Sequence, residues 1–302
     1  MVTAKELLVE ATERLKSREI GTPQLDAEVI LCNLLEVDRV KLLIYPDMEI
    51  SREICKKFWE NVERRMNYEP IQYIVNRQEF MGLDLFVDKG VLIPRGDTEI
   101  LVEKVLEVYG NEYAPEFVNI LDIGTGSGAI TVSLAKLIEN CHVTSIDISP
   151  RALEIASKNA AIHGVEGKID FLNGDLFGPL KDGDEDRANP KEGNSEEVGS
   201  KLEFIVSNPP YIPDRTIKSL SPQVKEHEPL LALVGGEDGL DFYRKIIDQS
   251  PDYLVQGGYL VLEIGYNQGK SVSSLMKERG FKDVEVIEDL ASHDRVVIGR
   301  IM

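Results

Sequence analysis

The chain has 302 residues, of which 42% are hydrophobic and 29% are charged, and its formal net charge is −19. This composition is typical of a globular protein with a hydrophobic core, and no apolar run approaches the roughly 20 residues that a membrane helix needs. The negative charge argues against a nucleic-acid partner, because affinity for the phosphate backbone comes from clustered Lys and Arg. We therefore expect one or two globular domains, with no direct contact to nucleic acid or membrane.

The cysteines and histidines predict no metal site. Cys32, Cys55 and Cys141 are far apart and odd in number, no CxxC pair occurs, and the four histidines are scattered. A disulfide framework is equally unsupported by this pattern. The N-terminal segment MVTAKELLVEATERLK has an amphipathic helical pattern without the apolar region of a signal peptide. The cysteine pattern fits a reducing compartment best, so we expect a cytoplasmic protein.

Residues 1–75 are predicted to form a small all-helical domain. Apolar residues recur at helical spacing in three segments: TAKELLVEATERLKS, TPQLDAEVILCNLLE and SREICKKFWENVERRMN. Thr22 is a candidate N-cap with Pro23 at the first helical position, and Ser51 is a candidate N-cap of the third helix. No strand signal interrupts these helices.

A β-hairpin is predicted to bridge this domain to the next one, over residues 76–96. The surrounding stretch PIQYIVNRQEFMGLDLFVDKGVLIPR is rich in β-branched and aromatic residues, with turn signals at Met81-Gly82 and at residues 88–90. The segment DTEILVEKVLEVYG then opens a helix, with Asp97 or Thr98 as its cap.

Strand-like and helix-like segments alternate from residue 118 onward, so residues 97–302 are predicted to form a second domain. Seven segments have strand character: VNILDIG, HVTSIDI, IDFLNGDL, LEFIVSN, GYLVLEIG, FKDVEVIED and DRVVIGRI. The alternation predicts an α/β fold with a doubly wound, mostly parallel seven-stranded sheet whose last two strands pair antiparallel. Residues 181–200 are strongly acidic without apolar periodicity, and we expect an exposed, mobile loop there.

A glycine-rich loop, ILDIGTGSGAI, joins the first strand of this sheet to its helix. Gly124, Gly126 and Gly128 allow the backbone to turn sharply and approach a ligand. Asp147 ends the second strand, where a carboxylate can accept from a ribose diol. The pattern fits the relaxed dinucleotide fingerprint, and the same geometry serves S-adenosylmethionine, so this motif leaves both ligands open.

The third strand ends in NGDLF, which reaches the same crevice of a doubly wound sheet. Asp175 is a candidate acceptor for an adenine amino group, and Leu176 and Phe177 are candidate contacts beside the ring. A solvated aspartate is the alternative at position 175.

The fourth strand ends in Asn208-Pro209-Pro210-Tyr211. Proline has a carbonyl but no N–H, and Asn208 adds a side-chain carbonyl, so this turn presents acceptors with few donors. Tyr211 adds a flat aromatic face. Such a turn suits a planar NH2 group, either a carboxamide or the exocyclic amine of a base. Two acceptors can aim the nitrogen lone pair at an electrophile such as the sulfonium methyl of S-adenosylmethionine.

The chain resembles the HemK/PrmC family, the N5-glutamine methyltransferases that act on class 1 peptide-chain release factors. The resemblance covers essentially the whole chain through the following motifs: RQEFMGLDLFV, LIPRGDTE, DIGTGSGAI, IDISPRAL, GDLF, SNPPYIP, EHEPLLAL and LEIG. The family usually has Pro where Gly96 stands. The resemblance implies an S-adenosylmethionine-dependent enzyme that methylates the glutamine of a Gly-Gly-Gln motif.

The resemblance also implies a set of site residues. The substrate amide is held by Asn208, Pro209, Pro210 and Tyr211. The cofactor is held by Gly124, Thr125, Gly126, Ser127, Gly128, Asp147, Asp175, Leu176 and Phe177, with Asn208 near both ligands. The helical domain is implied to engage the release factor. Phe80 is a further candidate for the pocket wall, with ordinary core packing as the alternative.

Three other functions stay open at this point. A glutamine methyltransferase for a ribosomal protein shares the catalytic domain, and an amino methyltransferase for nucleic acid shares the Asn-Pro-Pro-Tyr turn. The net charge of −19 counts against the nucleic-acid enzyme. A non-enzymatic module that binds S-adenosylmethionine has no use for the complete acceptor turn.

Overall fold

The computed structural model describes residues 2–181 and 201–302, which divide into two compact units. Unit 1 comprises Met1–Arg77, Val87–Lys89 and Leu220–Glu228, and unit 2 comprises Gln78–Phe86, Gly90–Ser219 and Pro229–Met302. The acidic loop predicted over residues 181–200 lies outside the described residues except for Lys181. No helix in the two described ranges combines the length and the apolarity that a membrane crossing requires.

Unit 1 is built from helices around one hydrophobic core. Its helices are α1 (Ala4–Lys16), α2 (Pro23–Leu35), α3 (Arg39–Ile44), α4 (Arg52–Met66), α5 (Ile71–Val75) and the short α10 (Pro222–Lys225). The predicted helical domain is confirmed, and it also contains one short antiparallel pair formed by β1 (Val2–Thr3) and β2 (Glu49–Ile50). Two residues are too few for a periodic sequence signal.

The helix starts of unit 1 follow the sequence, with one difference. Ser51 caps α4 by accepting from the Ile54 N–H, and Pro23 is at the first turn of α2, as predicted. Thr22 holds the N-cap position of α2 but caps no backbone N–H. Its hydroxyl instead donates to Asp26, which is buried in an ion pair with Arg65 at 2.6 Å. The hydroxyl turns to this carboxylate because a hydrogen bond to a charged acceptor is stronger than one to a neutral group.

The predicted hairpin is present but short. Strands β3 (Gln78–Phe80) and β4 (Leu83–Leu85) pair antiparallel, and Met81 and Gly82 have φ values of 51° and 73° in the two-residue turn. Positive φ at both turn residues is the geometry that matches the twist of the flanking strands. Residues 71–75, which we included in the β-rich stretch, form helix α5 instead.

Unit 2 contains the predicted seven-stranded sheet. Its strands are β5 (Val118–Ile123), β6 (Cys141–Asp147), β7 (Ile169–Asn173), β8 (Leu202–Ser207), β9 (Leu254–Glu263), β10 (Lys282–Glu288) and β11 (Asp294–Arg300). They lie in the order β10-β11-β9-β8-β5-β6-β7. Strands β5 to β9 are parallel, and β11 is antiparallel to both of its neighbours, as predicted for the last pair.

Helices cover both faces of this sheet. They are α6 (Glu99–Val108), α7 (Ala129–Leu137), α8 (Pro150–His163), α9 (Gly178–Lys181), α11 (Asp241–Gln249) and α12 (Gly269–Arg279). Successive residues of β5 point to opposite faces, so Ile120 packs in one core with α6 and α7 while Leu121 packs in the other with α11 and α12. The doubly wound fold therefore follows from strands that are apolar on both faces.

Candidate active site

A cavity of about 350 Å³ opens at the carboxyl ends of β5 to β8, within unit 2. The chain order reverses there, since β5 lies between β6 on one side and β8 on the other. Ligands of open α/β sheets bind at such a switch point, because the loops of adjacent strands diverge and leave a crevice. The glycine loop follows β5 and the Asn-Pro-Pro turn follows β8, so the two motifs leave neighbouring strands, paired at Ile123 and Ser207.

The glycine loop adopts a conformation that requires its glycines. Gly124, Gly126 and Gly128 have φ values of 82°, 55° and 82°, in the left-handed region that favours glycine. At Gly128 a Cβ would lie 3.0 Å from the Cβ of Ala156, so this glycine also permits α7 to pack against α8. Gly124 and Gly126 line the cavity, while Gly128 is buried below it as the residue preceding α7.

The Asp147 carboxylate holds the glycine loop in place. Oδ2 accepts from the Gly126 N–H and Oδ1 accepts from the Ser149 N–H, both at 2.8 Å. Burial raises the pKa of Asp147 above its ordinary value, and these two hydrogen bonds oppose that effect. Each oxygen retains a second lone pair, and Asp147 lines the cavity, so the carboxylate can also accept from a ligand.

A buried chain of hydroxyl groups extends from the glycine loop to Asp122. Thr125 and Thr131 both contact the Ser145 hydroxyl, at 2.6 and 2.8 Å, and Thr131 donates to Asp122 Oδ2 at 2.5 Å. Burial raises the pKa of Asp122 to about 7. Asp122 Oδ1 has no hydrogen-bond partner among the described residues. These hydrogen-bonded hydroxyls link the glycine loop to the sheet interior beneath the cavity.

At the third strand, Asp175 and Leu176 reach the cavity and Phe177 does not. Leu176 has a φ of 49°, an uncommon conformation for a residue with a side chain. Phe177 is fully buried and stacks on Tyr253, with ring centroids 4.7 Å apart. The structure thus places Phe177 in the hydrophobic core rather than beside a ligand in the cavity.

The Asn208 side chain has a defined orientation. Its Nδ2 donates to Thr98 Oγ1 at 3.2 Å, and Asn208, Pro209 and Pro210 line the cavity. With the nitrogen engaged, the side-chain carbonyl oxygen is the atom left to accept from a ligand. Because the two prolines have no N–H, this wall of the cavity offers acceptors to an NH2 group.

The turn is held in place by two tightly packed neighbours. Gln268 is buried, and its Nε2 donates to the Tyr211 carbonyl and to the Gly239 carbonyl, both at 3.2 Å. A Cβ on Gly235 would lie 2.7 Å from Tyr211 Cα and 2.8 Å from the Pro210 carbonyl oxygen. The backbone of the turn therefore has little freedom to shift.

Tyr211 does not line the cavity. Its ring packs on the hydrophobic core formed with α11 and α12. Burial raises the pKa of Tyr211, and the negative charge of Glu263 adds to this, so the hydroxyl stays protonated. The structure assigns Tyr211 a place behind the turn, whereas we expected its ring face to contact the substrate.

Glu263 ends β9 directly behind Asn208 and is 2% exposed. Burial raises the pKa of Glu263 to about 7, while hydrogen bonds from Thr98 and Asn208 and the charge of Arg295 lower it. Arg295 itself pairs with Asp97 at 3.1 Å and with Asp289 at 2.9 Å.

Most of the predicted site residues meet at the cavity. The predicted residues that line it are Gly124, Thr125, Gly126, Ser127, Asp147, Asp175, Leu176, Asn208, Pro209 and Pro210. Gly128, Phe177 and Tyr211 lie behind the wall. Phe80 is 1% exposed in the core of unit 2, which agrees with the core-packing alternative.

Sequence reasoning missed four residues that shape the site. Arg95 and Thr98 line the cavity, and Glu263 stands behind Asn208. Asn159 is buried and donates to the Ser127 carbonyl at 2.8 Å and to the Phe86 carbonyl at 2.9 Å, so it ties the glycine loop to the end of the hairpin. The motifs LIPRGDTE and LEIG contained three of them, but their spacing carries no sign of these contacts.

The cavity combines a loop that can cradle a nucleoside with a wall of acceptors. Within residues 2–181 and 201–302, no group of His, Cys, Asp and Glu has the arrangement of a metal site. This geometry allows two acceptors of the protein to hold an NH2 group next to a second ligand on the glycine loop.

Comparison with known proteins adds to this geometry. The family model for the PrmC N-terminal domain matches residues 6–75, and a methyltransferase domain model matches residues 116–187. The chain is 40% identical over 298 residues to a release factor glutamine methyltransferase from Clostridium botulinum, covering 98% of each chain. It is 39% identical over 285 residues to one from Bacillus cereus, covering 94% of this chain and 95% of the relative.

A solved structure with a similar fold is the hMettl16 catalytic domain in complex with MAT2A 3'UTR hairpin 6. It has a TM-score of 0.54 and 13% sequence identity, and the match covers 84% of each chain. At this identity the likeness concerns the fold alone.

Proposed function

This chain belongs to the release factor glutamine methyltransferase family, and we propose from that premise that it methylates class 1 peptide-chain release factors. The methyl group passes from S-adenosylmethionine to the side-chain amide nitrogen (N5) of the glutamine in the Gly-Gly-Gln motif. One observation carries the proposal. The Asn208 turn and the glycine loop leave neighbouring strands and open into one cavity.

The residues around the glycine loop fit S-adenosylmethionine. When bound, this cofactor supplies an electrophilic methyl group on a positively charged sulfur. Gly124 and Gly126 let the backbone approach it, and the free lone pairs of Asp147 suit a ribose diol. Asp175 and Leu176 lie at the cavity where an adenine would extend.

The Asn208 turn orients the acceptor amide. A carboxamide nitrogen is a weak nucleophile, because its lone pair is delocalised into the carbonyl. The side-chain carbonyl of Asn208 and the backbone carbonyl of Pro209 each accept one N–H, which turns the lone pair toward the methyl group. Orientation of this kind supplies up to about 7–11 kcal/mol in favourable cases. As the N–CH3 bond forms, the S–CH3 bond of the cofactor would break and leave the neutral demethylated thioether, and the nitrogen would lose one proton to solvent.

The three predicted segments divide the work in this proposal. Residues 1–75 engage the release factor, residues 76–96 connect, and residues 97–302 carry the chemistry. The separate family-model matches over 6–75 and 116–187 support this division.

A labelling experiment tests the function. The protein is incubated with methyl-labelled S-adenosylmethionine and, in parallel, a class 1 release factor, the same factor with Gln replaced by Ala in Gly-Gly-Gln, ribosomal proteins, rRNA and DNA. We expect label on the intact release factor alone. Label on a ribosomal protein or on nucleic acid, with none on the release factor, would overturn the proposed substrate.

The cofactor has its own test. Calorimetry should detect S-adenosylmethionine and its demethylated product but not NAD. Affinity for NAD in the absence of affinity for S-adenosylmethionine would contradict the proposal.

A further inference from the structure

A buried carboxylate lies behind the acceptor turn, and it forms no ion pair with any residue in the described part of the chain. Glu263 is 2% exposed, and its Oε2 has no hydrogen-bond partner among the described residues. The neighbouring cation, Arg295, pairs with Asp97 and Asp289 instead. Burying a carboxylate is costly, so its presence here needs a reason beyond packing.

The Glu263 side chain does not attach helix α11 to β9. Helix α11 is attached to β9 through the Tyr243 hydroxyl, which donates to the backbone carbonyl of Glu263 at 2.9 Å. That contact would survive any side chain at position 263. The carboxylate is therefore available for another task.

The register of β8 and β9 pairs Ser207 with Leu262, so Asn208 and Glu263 follow side by side at the strand ends, and hydrogen bonding from Thr98 and Asn208 lowers the pKa of Glu263. Thr98 Oγ1 also accepts from Asn208 Nδ2 at 3.2 Å. A hydroxyl has one hydrogen, and because the Thr98 oxygen receives the Asn208 N–H, that hydrogen remains for donation to the neighbouring carboxylate. Glu263 and the Thr98 oxygen are both acceptors for Asn208, so the NH2 end of Asn208 suits this position and its carbonyl oxygen does not.

We propose that Glu263 and Thr98 are positioning residues that fix the amide orientation of Asn208. An ionised carboxylate only accepts, so above about pH 7, where most Glu263 side chains are ionised, it disfavours the Asn208 carbonyl oxygen and attracts the NH2 end. The carbonyl oxygen then faces the cavity. This inference rests on the proposed function, since a substrate NH2 needs an acceptor there. The opposite orientation would set two donors against the substrate nitrogen, with no hydrogen bond possible.

The test compares variants in single-turnover methylation of a Gly-Gly-Gln release factor. Glu263→Gln keeps the size of the side chain but adds donors, so Asn208 loses its fixed orientation. We expect the rate to fall about 10- to 100-fold, the range that corresponds to one lost hydrogen bond to a charged group. Affinity for S-adenosylmethionine should stay within about twofold of wild type, because Glu263 does not line the cavity.

Thr98 provides an independent pair of variants. Thr98→Val removes the hydroxyl with almost no change in shape and should slow methylation about 10-fold or more, whereas Thr98→Ser keeps the hydroxyl and most of the rate. Glu278→Gln, the same substitution on the exposed surface of α12, is the matched control and should behave as wild type. If the Glu263→Gln variant does not fold, Thr98→Val and Thr98→Ser still test the inference.

A double-mutant cycle separates positioning from a structural effect. If Glu263 acts through Asn208, then Glu263→Gln should add less than about twofold to the loss caused by Asn208→Ala. The inference is wrong if Glu263→Gln slows methylation as much in the Asn208→Ala variant as it does in the wild type. A wild-type rate for Glu263→Gln or for Thr98→Val would also overturn it. Wild-type labelling of a different amino-bearing substrate would refute the proposed function instead, and the same cycle could be measured on that substrate.

Discussion

Asn208 and Asp147 each serve two partners with one side chain. Asn208 donates through its nitrogen to Thr98 and keeps its oxygen for the cavity, while Asp147 accepts from Gly126 and Ser149 and keeps one lone pair on each oxygen. The protein-facing contacts fix the geometry of the ligand-facing atoms. Substitution of either residue should therefore affect one ligand much more than the other.

Replacement of Asn208 by Ala should remove one of the two acceptors that aim the substrate nitrogen. We expect the single-turnover rate to fall about 10²–10³-fold, the scale of one lost preorganised contact, with a much smaller change in cofactor affinity. Asn208→Asp should also be slow, because a second carboxylate would face Glu263. A near wild-type rate for Asn208→Ala would show that the turn does not orient the amide.

Replacement of Asp147 by Ala should act on the cofactor instead. The carboxylate that fits the ribose diol is lost together with the anchor of the Gly126 N–H. Calorimetry should show binding of S-adenosylmethionine weakened by roughly 1.5–3 kcal/mol. An unchanged dissociation constant would exclude Asp147 from the cofactor site.

Asp122 should make stability depend on pH. Burial raises its folded-state pKa to about 7, from an ordinary value of 3.8. The folded protein thus binds this proton more tightly than the unfolded chain. Its contribution to stability is complete below about pH 4 and is lost as the pH rises to about 7, by about 1.4 kcal/mol per pH unit.

Urea unfolding of wild type and Asp122→Asn at several pH values checks this. The variant has no carboxyl to ionise, so its stability relative to wild type should increase from pH 5 to pH 7 and then level off. Other buried carboxyls, including Glu263, titrate in both proteins and cancel in the difference. A difference that does not change with pH would contradict the raised pKa of Asp122.

At the scale of elements, the acceptor turn depends on the segment that packs against it. Residues 229–236 run beside the continuation of the turn, where Ile212 donates to the Leu233 carbonyl and the Gly235 N–H donates to the Ile212 carbonyl, both at 2.9 Å. Gly235 lies so close to the turn that no side chain fits. The position of the carbonyls at the cavity is thus set by a second segment.

Replacement of Gly235 by Ala should displace the turn. The new Cβ would lie 2.7 Å from Tyr211 Cα, so one of the two backbones must move. We expect a destabilisation of about 1–3 kcal/mol, as for other overpacked sites, and a slower methyl transfer at saturating cofactor. Gly167→Ala, at a glycine with no atom within 4 Å of its Cβ position, is the control. Equal behaviour of the two variants would show that the close approach is unimportant.

At the scale of the whole molecule, charge separates the candidate substrates. With a net charge of −19, the protein repels polyanions over a distance set by the ionic strength. A protein substrate does not meet this barrier in the same way. The charge thus favours a polypeptide acceptor among molecules that carry NH2 groups.

Nucleic acid should accordingly neither bind nor compete. Addition of rRNA or duplex DNA at physiological salt should leave the rate of release factor methylation unchanged, and fluorescence anisotropy should detect no complex. Micromolar binding that weakens steeply with salt would reveal a basic surface that outweighs the net charge.

The sequence by itself determined the sheet, the order of its strands along the chain and the place of both motifs. Apolar runs bounded by Gly and Pro are local signals, and strand ends marked by Gly124, Asp147 and Asn208 must meet once the strands are parallel. Only the tertiary structure decided which side chains reach the cavity. Phe177 and Tyr211 turned into the core, and Thr98 and Glu263 came together behind Asn208. These contacts join residues that are far apart in the sequence, where side-chain direction depends on packing against other elements rather than on local sequence.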